Sequence, residues 1–152
     1  MLRYLGVILL LLTTAMAPAA ASQDFLVVPG VRLGPISLGM SLHELEDSLG
    51  SPDDHIAGNV YRWQQHFSGA TLIVILDGKR RVSKIKIYWD TFYQTSDGLH
   101  VGMLEGDIYA TLGAPRTMRK WSHFKALYYR GISFTVDTRQ PSIVTGMAVT
   151  SD

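Results

Sequence analysis

Few side chains of this sequence have the types and the spacing that catalysis requires. The segment SHFK, Ser122 to Lys125, has the Ser-x-x-Lys spacing in which a lysine amine activates a serine nucleophile. It lies in a strand pattern, where positions i and i+3 point to opposite faces, and the companion motifs Ser-Asp-Asn and Lys-Thr-Gly do not occur. We therefore interpret Ser122 and Lys125 as strand residues rather than as a nucleophile and its base.

Metal binding is the second chemistry to consider. The five histidines show no His-Glu-x-x-His spacing. Asp53, Asp54 and His55 could supply oxygen and nitrogen ligands, but they follow Pro52, and we interpret them as a solvated turn. No glycine pattern of the phosphate-binding kind occurs. The sequence thus predicts a protein without catalytic residues, metal or cofactor.

Composition and charge exclude further classes. The sequence contains no cysteine, which excludes disulfides, thiol catalysis, cysteine metal sites and a lipid anchor on cysteine. Arg3 lies in a predicted signal peptide, described next. Once it is removed, the basic residues equal the 13 acidic residues in number. No net positive charge therefore favours binding to nucleic acid or to an anionic membrane. The densest basic segment, Gly78 to Lys86, begins at a predicted turn. This segment could be a solvated hairpin or an anion-binding site, and we prefer the hairpin.

The first residues have the features of an export signal. Arg3 precedes an apolar run from Leu5 to Leu12 and the small residues Ala19 to Ala21. This order is typical of a secretory signal peptide, here residues 1–21, with cleavage before Ser22. The alternative is a membrane anchor, which needs about 20 apolar residues and does not suit the alanine-rich end. We expect a soluble protein of the periplasm, or alternatively a secreted one.

One stretch of the sequence occurs twice. The first copy, LGMSLHELEDSLGSP (residues 38–52), aligns without a gap with the second copy, VGMLEGDIYATLGAP (residues 101–115). The identical pairs are Gly39 with Gly102, Met40 with Met103, Leu49 with Leu112, Gly50 with Gly113 and Pro52 with Pro115, and the similar pairs are Glu44 with Asp107 and Leu45 with Ile108. We interpret the two copies as an internal duplication.

Each copy predicts a short helix. In the first copy Ser41 and Glu44 form a capping box, and Gly50 followed by Pro52 ends the helix. In the second copy Leu104 replaces the serine, which removes a cap worth about 1 kcal/mol. Tertiary packing must therefore stabilise the second helix.

The segments after each helix alternate as strands do. NVYRWQQHF, ATLIVIL and VSKIKIYW follow the first helix, and WSHFKALYYR, ISFTVD and VTGMAV follow the second. We predict an α+β fold of two tandem units, each a helix followed by antiparallel strands, joined into one sheet with both helices on one face. The units are residues 22–89 and 98–152, with a linker at 90–97.

The repeated stretch resembles the signature of the superfamily of the β-lactamase inhibitory protein and the SmpA/BamE outer-membrane-assembly lipoprotein. Gly-Met, an acidic residue, an aliphatic residue and Leu-Gly-x-Pro carry the resemblance in both copies. It implies an exported, non-catalytic protein that binds other proteins, often with its sheet. The inhibitory proteins have disulfides and the lipoprotein has a lipid-bearing cysteine, whereas this chain has no Cys. Only the architecture and the general role are therefore carried over.

The strand TLIVIL predicts where a partner binds. Leu72, Val74 and Leu76 form an apolar face for the helices to cover, but Ile73 and Ile75 make the other face apolar as well. An apolar centre with a basic, aromatic rim is typical of a protein-binding surface. The predicted binding residues are Ile73, Ile75, Arg62, His66, Lys84, Lys86 and Tyr88. The alternative is that FLVVPGVRL, residues 25–33, covers this face and makes both isoleucines core.

The aromatic residues bear on the second functional alternative. We predict four aromatic residues in the core: Trp63, Trp89, Tyr109 and Phe134. Four others share strands with polar neighbours, so that both a core and a surface position are possible for them: Tyr88, Tyr128, Tyr129 and Trp121. We predict an inhibitor, an adaptor or an envelope-assembly accessory that binds another protein and is not an enzyme. The alternative is a protein that binds a small ligand or an envelope glycan through exposed aromatics.

Overall fold

A computed structural model of the protein describes residues 24–65 and 69–151. The predicted signal peptide (residues 1–21) and His66 lie outside the described residues. Within the described ranges, no helix is long and apolar enough to cross a membrane.

One large antiparallel sheet organises the chain. Its strands are β4 (Asp54–Ala57), β5 (Val60–Gln65), β6 (Ala70–Leu76), β7 (Val82–Tyr88), β9 (Thr117–Trp121), β10 (Phe124–Tyr129), β11 (Ile132–Asp137) and β12 (Ile143–Thr150). The eight strands lie in the order β4-β5-β6-β7-β12-β11-β10-β9, and every neighbouring pair is antiparallel. The alternating segments of the sequence form strands, as predicted, except WSHFKALYYR. Trp121 there ends β9 and Phe124 begins β10, so the prediction of Ser122 as a strand residue is wrong.

The hairpin between β6 and β7 shows how local sequence sets the pairing. Asp77 Oδ1 accepts hydrogen bonds from the backbone N–H groups of Lys79 at 2.8 Å and Arg81 at 3.0 Å. Such an Asx turn reverses the chain within a few residues. It sets the register in which Ile73 pairs with Lys86, and the basic segment forms the predicted hairpin.

Two helices lie on one face of the large sheet. They are α1 (Leu42–Leu49) and α2 (Glu105–Leu112). The predicted capping box of α1 is present, because Ser41 Oγ accepts from the Glu44 N–H at 3.3 Å and a Glu44 carboxylate oxygen accepts from the Ser41 N–H at 2.7 Å. Each helix buries one aliphatic side chain completely, Leu45 in α1 and Ile108 in α2. Both residues belong to the core.

A second, smaller sheet completes the core. Its strands are β1 (Leu26–Val28), β2 (Arg32–Leu33), β3 (Ile36–Ser37) and β8 (Gln94–Thr95), in the order β3-β2-β1-β8. β1 and β8 are parallel, so this sheet is mixed. Val27, Leu33 and Ile36 are at most 1% exposed and share one buried cluster with Leu45 and Leu72. The small sheet thus lies on the same side of the large sheet as the helices.

The predicted fold class, α+β with tandem units of a helix and strands, is wrong. Strands hold 49% of the described residues and helices 13%, so the protein is mostly β, with an eight-stranded sheet and a mixed four-stranded sheet. The small sheet escaped prediction because its strands are two or three residues long, too short to show alternation. The division of the chain at residues 90–97 stays a prediction. That segment contributes β8 and the buried residues Asp90 and Tyr93.

Candidate functional site

The large sheet has a covered face and an open face. Along the whole of β6, buried residues alternate with partly exposed ones. Leu72 and Val74 are at most 2% exposed and pack in the cluster that contains the helix residue Leu45. Ile73 and Ile75 point the other way and are partly exposed. We call the face that carries these two isoleucines the open face and the opposite one the covered face.

The N-terminal segment does not lie over the open face. Residues 25–33, the alternative cover, include β1 and β2. Val27 and Leu33 from these strands are 1% and 0% exposed and belong to the same buried cluster as Leu72. Because Leu72 lies on the covered face, the segment lies on the side opposite the two isoleucines.

The strand register brings the predicted binding residues together. Ile73 pairs with Arg62 of β5 and with Lys86 of β7, and Ile75 pairs with Lys84 of β7. Paired residues on neighbouring strands project from the same face of a sheet. Five of the predicted binding residues thus form one continuous surface, which we call the isoleucine patch.

Positive charge is concentrated around Ile73 and Ile75 and elsewhere on the open face. Arg62 Nη2 pairs with Asp54 Oδ2 at 2.7 Å, whereas Lys84, Lys86 and Arg119 form no ion pair with any residue in the described ranges. Burial lowers the pKa of Lys84, and the positive charges of Lys86 and Arg119 lower it further. The open face therefore holds three mutually repelling cations.

Arg119 is the residue of this group that the sequence did not predict. It reaches the open face through the register, in which Arg119 pairs with Ala126, Ala126 with Thr135, Thr135 with Gly146 and Gly146 with Tyr88. The sequence of β9, TMRKW, does not alternate polar and apolar residues, and all five residues are exposed in the structure. No face could therefore be assigned to Arg119 from the sequence. Only the pairing of β9 with β10 places Arg119 on the same side as the lysines.

Small residues form a floor across the middle of the open face. Lys86 pairs with Ala148, and Ala148 pairs with Ser133. Ala148, Ser133 and the nearby Ala126 are only 7%, 8% and 6% exposed although they lie on the open face. We call these three residues the floor. Longer side chains from both halves of the sheet stand around it.

Tyr88 is one of these longer side chains, and its ring lies across Gly146. A Cβ atom built on Gly146 would come within 2.5 Å of Tyr88 Cδ1, so this position in β12 accepts only glycine while the ring keeps its place. Burial raises the pKa of Tyr88, the hydroxyl of Tyr128 adds to the rise, and a hydrogen bond with Thr135 opposes it. The Tyr88 ring therefore covers Gly146 and adds an aromatic group to the open face.

The far side of the open face carries a second aromatic group. Trp121 and Phe124 are paired in the register of β9 and β10, and their ring centroids are 6.4 Å apart. Trp121 is 48% exposed.

The predicted core positions of the aromatic residues can now be checked. Trp63 and Phe134 are buried, but Trp89 is 57% exposed, so the prediction for Trp89 is wrong.

Strand length explains the error at Trp89. β7 ends at Tyr88, and Trp89 takes a positive φ of 63°. The residue therefore leaves the pleat instead of continuing the alternation of Ile85 and Ile87. Its side chain points to solvent beside the end of the open face.

The residues considered for catalysis do not form a site. Ser122 lies in the turn between β9 and β10 with a φ of 46°, and Lys125 Nζ binds Glu105 Oε1 at 2.5 Å. The lysine is therefore held by a carboxylate and not by the serine. Within the described ranges, no group of three His, Cys, Asp or Glu side chains could hold a metal ion.

The segment DDHI is a strand rather than the predicted solvated turn. Asp54 and His55 open β4. Asp54 pairs with Arg62, and the His55 ring stacks on Tyr61 with a centroid distance of 4.6 Å. These contacts with β5 explain why an edge strand of four residues forms here without an alternating sequence.

A second polar cluster lies on the covered face at the start of α2. Glu105 and Lys125 form an ion pair whose side chains are 12% and 15% exposed. Burial raises the pKa of Tyr109 to about 12, and its hydrogen bond to the Glu105 carboxylate raises it as well. The sequence did not predict this cluster, because Lys125 is far from α2 along the chain. All its charges are partnered, which indicates a structural role.

No protein-family model and no curated protein matches the sequence of this chain. Among solved structures, its fold is similar to that of YjgB, a DUF4309 family protein from Bacillus subtilis subsp. subtilis str. 168. The TM-score is 0.56 at 11% sequence identity, and the match covers 74% of this chain and 78% of YjgB. At this identity the likeness concerns the fold alone.

Proposed function

We propose that this protein is an exported, non-catalytic binding protein whose open face binds another protein, as an inhibitor, an adaptor or an accessory of envelope assembly. The observation that carries the proposal is the partial exposure of Ile73 and Ile75 between the cations of the isoleucine patch. Protein interfaces have an apolar centre within a polar rim and are enriched in aromatic and arginine residues. No metal, cofactor or lipid anchor is part of the proposal.

The position of the isoleucine patch favours binding energetically. β6 is hydrogen-bonded on both sides, to β5 and to β7, so its side chains project from a backbone that is already ordered. A preorganised surface loses little conformational entropy when it binds. Burying a fully exposed Ile contributes about 1.5–3 kcal/mol. Ile73 and Ile75 are already partly buried, so each can contribute only a fraction of this free energy to binding.

Export belongs to the same proposal. It is supported by the order of basic, apolar and small residues in residues 1–21. The resemblance of the repeated stretch to the β-lactamase inhibitory protein and SmpA/BamE superfamily supports a protein-binding role in the envelope. The intact mass of the natively expressed protein tests export, and an unprocessed chain contradicts it.

A photo-reactive amino acid on the open face tests the binding role in cells. Thr71 of β6 lies on the open face and is partly exposed, and His43 of α1 is an exposed control on the covered side. We expect a discrete protein adduct from position 71 and none from position 43. The protein identified by mass spectrometry should then form a stoichiometric complex with the purified chain. Identical adducts from both positions, or none from position 71, contradict the proposal.

Glycan binding is the second candidate, and the exposed ring of Trp121 beside Phe124 favours it. Aromatic faces stack on the apolar faces of sugar rings. Titration with soluble cell-wall fragments, followed by tryptophan fluorescence, tests this candidate with Trp121→Ala as the variant and Trp89→Ala as the matched control. Saturable quenching that only Trp121→Ala removes supports glycan binding, and no quenching excludes it for these fragments.

A further inference from the structure

The open face of the large sheet carries more basic than acidic side chains. The first turns of the helices, on the covered side, carry Glu44, Glu105 and Asp107, and α1 continues with Glu46 and Asp47. The open face carries Arg62, Lys84, Lys86 and Arg119. The nearly balanced total charge therefore conceals one basic face. Asp54 and Asp137 also lie on this face, but they pair with Arg62 and Arg139. The charges of Lys84, Lys86 and Arg119 therefore remain available and favour a partner of the opposite charge.

The positions of Lys84, Lys86 and Arg119 define where a negatively charged ligand would bind. Lys84 and Lys86 are two residues apart on β7, so their side chains leave the same face about 7 Å apart. Arg119 lies on β9, beyond β12, β11 and β10. In a flat sheet these two strands would be about 19 Å apart, and the floor lies on the strands between them. The register therefore places the three cations on the same face, with the lysines on one side of the floor and Arg119 on the other.

We propose that the open face binds an acidic segment of its partner, whose Asp or Glu carboxylates pair with Lys84, Lys86 and Arg119 while an apolar side chain of the same segment packs on Ile73 and Ile75. Since this inference rests on the proposed function, it adds the chemistry of the partner to that function.

Two observations favour a protein segment over other anions. In an extended segment, alternate side chains lie about 7 Å apart on one side, which matches the separation of Lys84 and Lys86. Ile73 and Ile75 pair directly with these lysines in the register, so a ligand that fits this surface presents an apolar group next to its charges. Free phosphate has no apolar group.

A synthetic peptide provides the direct test. The probe is a short peptide with the sequence Glu-Ser-Glu-Ser-Leu-Ser-Leu and Gly-Ser ends, so that Glu and Leu share one side of the extended chain, and its control is the same peptide with every Glu replaced by Gln. Binding to the purified full chain is measured by isothermal titration calorimetry at low and high salt. We expect binding of the Glu peptide that weakens as salt rises and little or no binding of the Gln peptide.

Adjacent residues of β9 provide matched variants. Arg119 lies on the open face, whereas Lys120 pairs with Lys125, which binds Glu105 on the covered side. Arg119→Glu and Lys84→Glu should each weaken peptide binding by about tenfold or more, whereas Lys120→Glu, with the same change of charge, should alter it less than about twofold. Thermal melts of all three variants must match that of the wild type.

Three results would overturn the inference. The first is equal peptide affinity in the Arg119→Glu and Lys120→Glu variants. The second is tighter binding of dextran sulfate or phosphatidylglycerol vesicles through the same residues, which would indicate a general anion surface. The third is a dimer in light scattering that Lys84→Glu abolishes, which would identify a second copy as the occupant. If the adduct from position 71 survives in the Lys84→Glu/Arg119→Glu variant, the proposed function stands and only the acidic chemistry fails.

Discussion

The first and second copies of the repeated stretch can be compared position by position. Each begins with a glycine of positive φ, Gly39 at 87° and Gly102 at 98°, followed by an eight-residue helix. The N–H of this glycine donates to a strand in both copies, to Val82 O at 2.7 Å and to Val144 O at 2.8 Å. The methionine sulfur accepts a backbone N–H in both. The two local structures agree closely although fewer than half of their residues are identical.

The copies differ in what stabilises the helix. α1 has the complete capping box of Ser41 and Glu44, whereas Leu104 provides no side-chain cap for α2 and is 50% exposed. α2 has instead the buried ion pair of Glu105 with Lys125. α2 keeps one half of the box, since Asp107 Oδ2 accepts from the Leu104 N–H at 3.2 Å. The same geometry is thus specified by two reciprocal local hydrogen bonds in the first copy, and by one such bond with a tertiary ion pair in the second.

The largest expected effect tests the equivalence of the two copies in the core. Leu45→Ala and Ile108→Ala each remove a fully buried side chain, so each should lower the free energy of unfolding by about 2–5 kcal/mol. Leu104→Ala, at an exposed position, is the control and should cost far less. Urea melts measure all three. A small loss at only one of the buried sites would show that the copies are not equivalent.

The ion pairs of the two copies should differ in strength. Lys125→Met leaves the Glu105 carboxylate unpaired in a mostly buried place, which should cost about 1–3 kcal/mol. In the first copy, Arg81 and Glu44 lie 3.6 Å apart with side chains 53% and 55% exposed, so Arg81→Met should cost less than about 1 kcal/mol. Equal losses in urea melts would refute the contrast between tertiary and local stabilisation.

The caps provide the next comparison. Ser41→Ala removes the hydroxyl that accepts the Glu44 N–H and should cost about 1 kcal/mol. Leu104→Ser adds the missing cap and removes an exposed leucine, so it should be neutral or stabilising. The opposite ranking of these two variants would contradict the account of the asymmetry.

The smallest effect concerns pH. The pKa of Tyr109 is raised to about 12 by burial and by Glu105, so the folded state favours the neutral phenol. This contribution to stability is complete below the usual tyrosine pKa of about 10 and is lost as the pH rises through about 12. Ultraviolet titration should show this shift, and Glu105→Gln should reduce it. An unchanged titration in that variant would remove Glu105 from the explanation.

Alternation and capping predicted the parts of the fold that are decided locally. The strand around Ile73 alternates over seven residues and the strand around Ile85 over five, from Lys84 to Tyr88. The capping box of Ser41 marks the start of α1. The small sheet could not be predicted, because β1 pairs in parallel with the distant β8 and each is only two or three residues long.

For the candidate site too, the sequence predicted the features that depend on local alternation and missed those that depend on strand order. Ile73, Ile75, Lys84 and Lys86 were placed on one face by alternation alone. Arg119 and the floor depend on the order β12-β11-β10-β9, which no local pattern contains. A surface assembled across the sheet from both halves of the chain becomes visible only once the strand order is known.

The most direct test of the binding surface replaces both partly exposed isoleucines, Ile73 and Ile75, at once. Ile73→Ser/Ile75→Ser should abolish the adduct formed from position 71, because the apolar centre of the open face is lost. The melting temperature should stay well above that of Leu45→Ala, because both side chains are only partly buried whereas Leu45 is fully buried. An adduct of undiminished yield, or a loss of stability as large as that of Leu45→Ala, would contradict the claim that the open face is the binding surface.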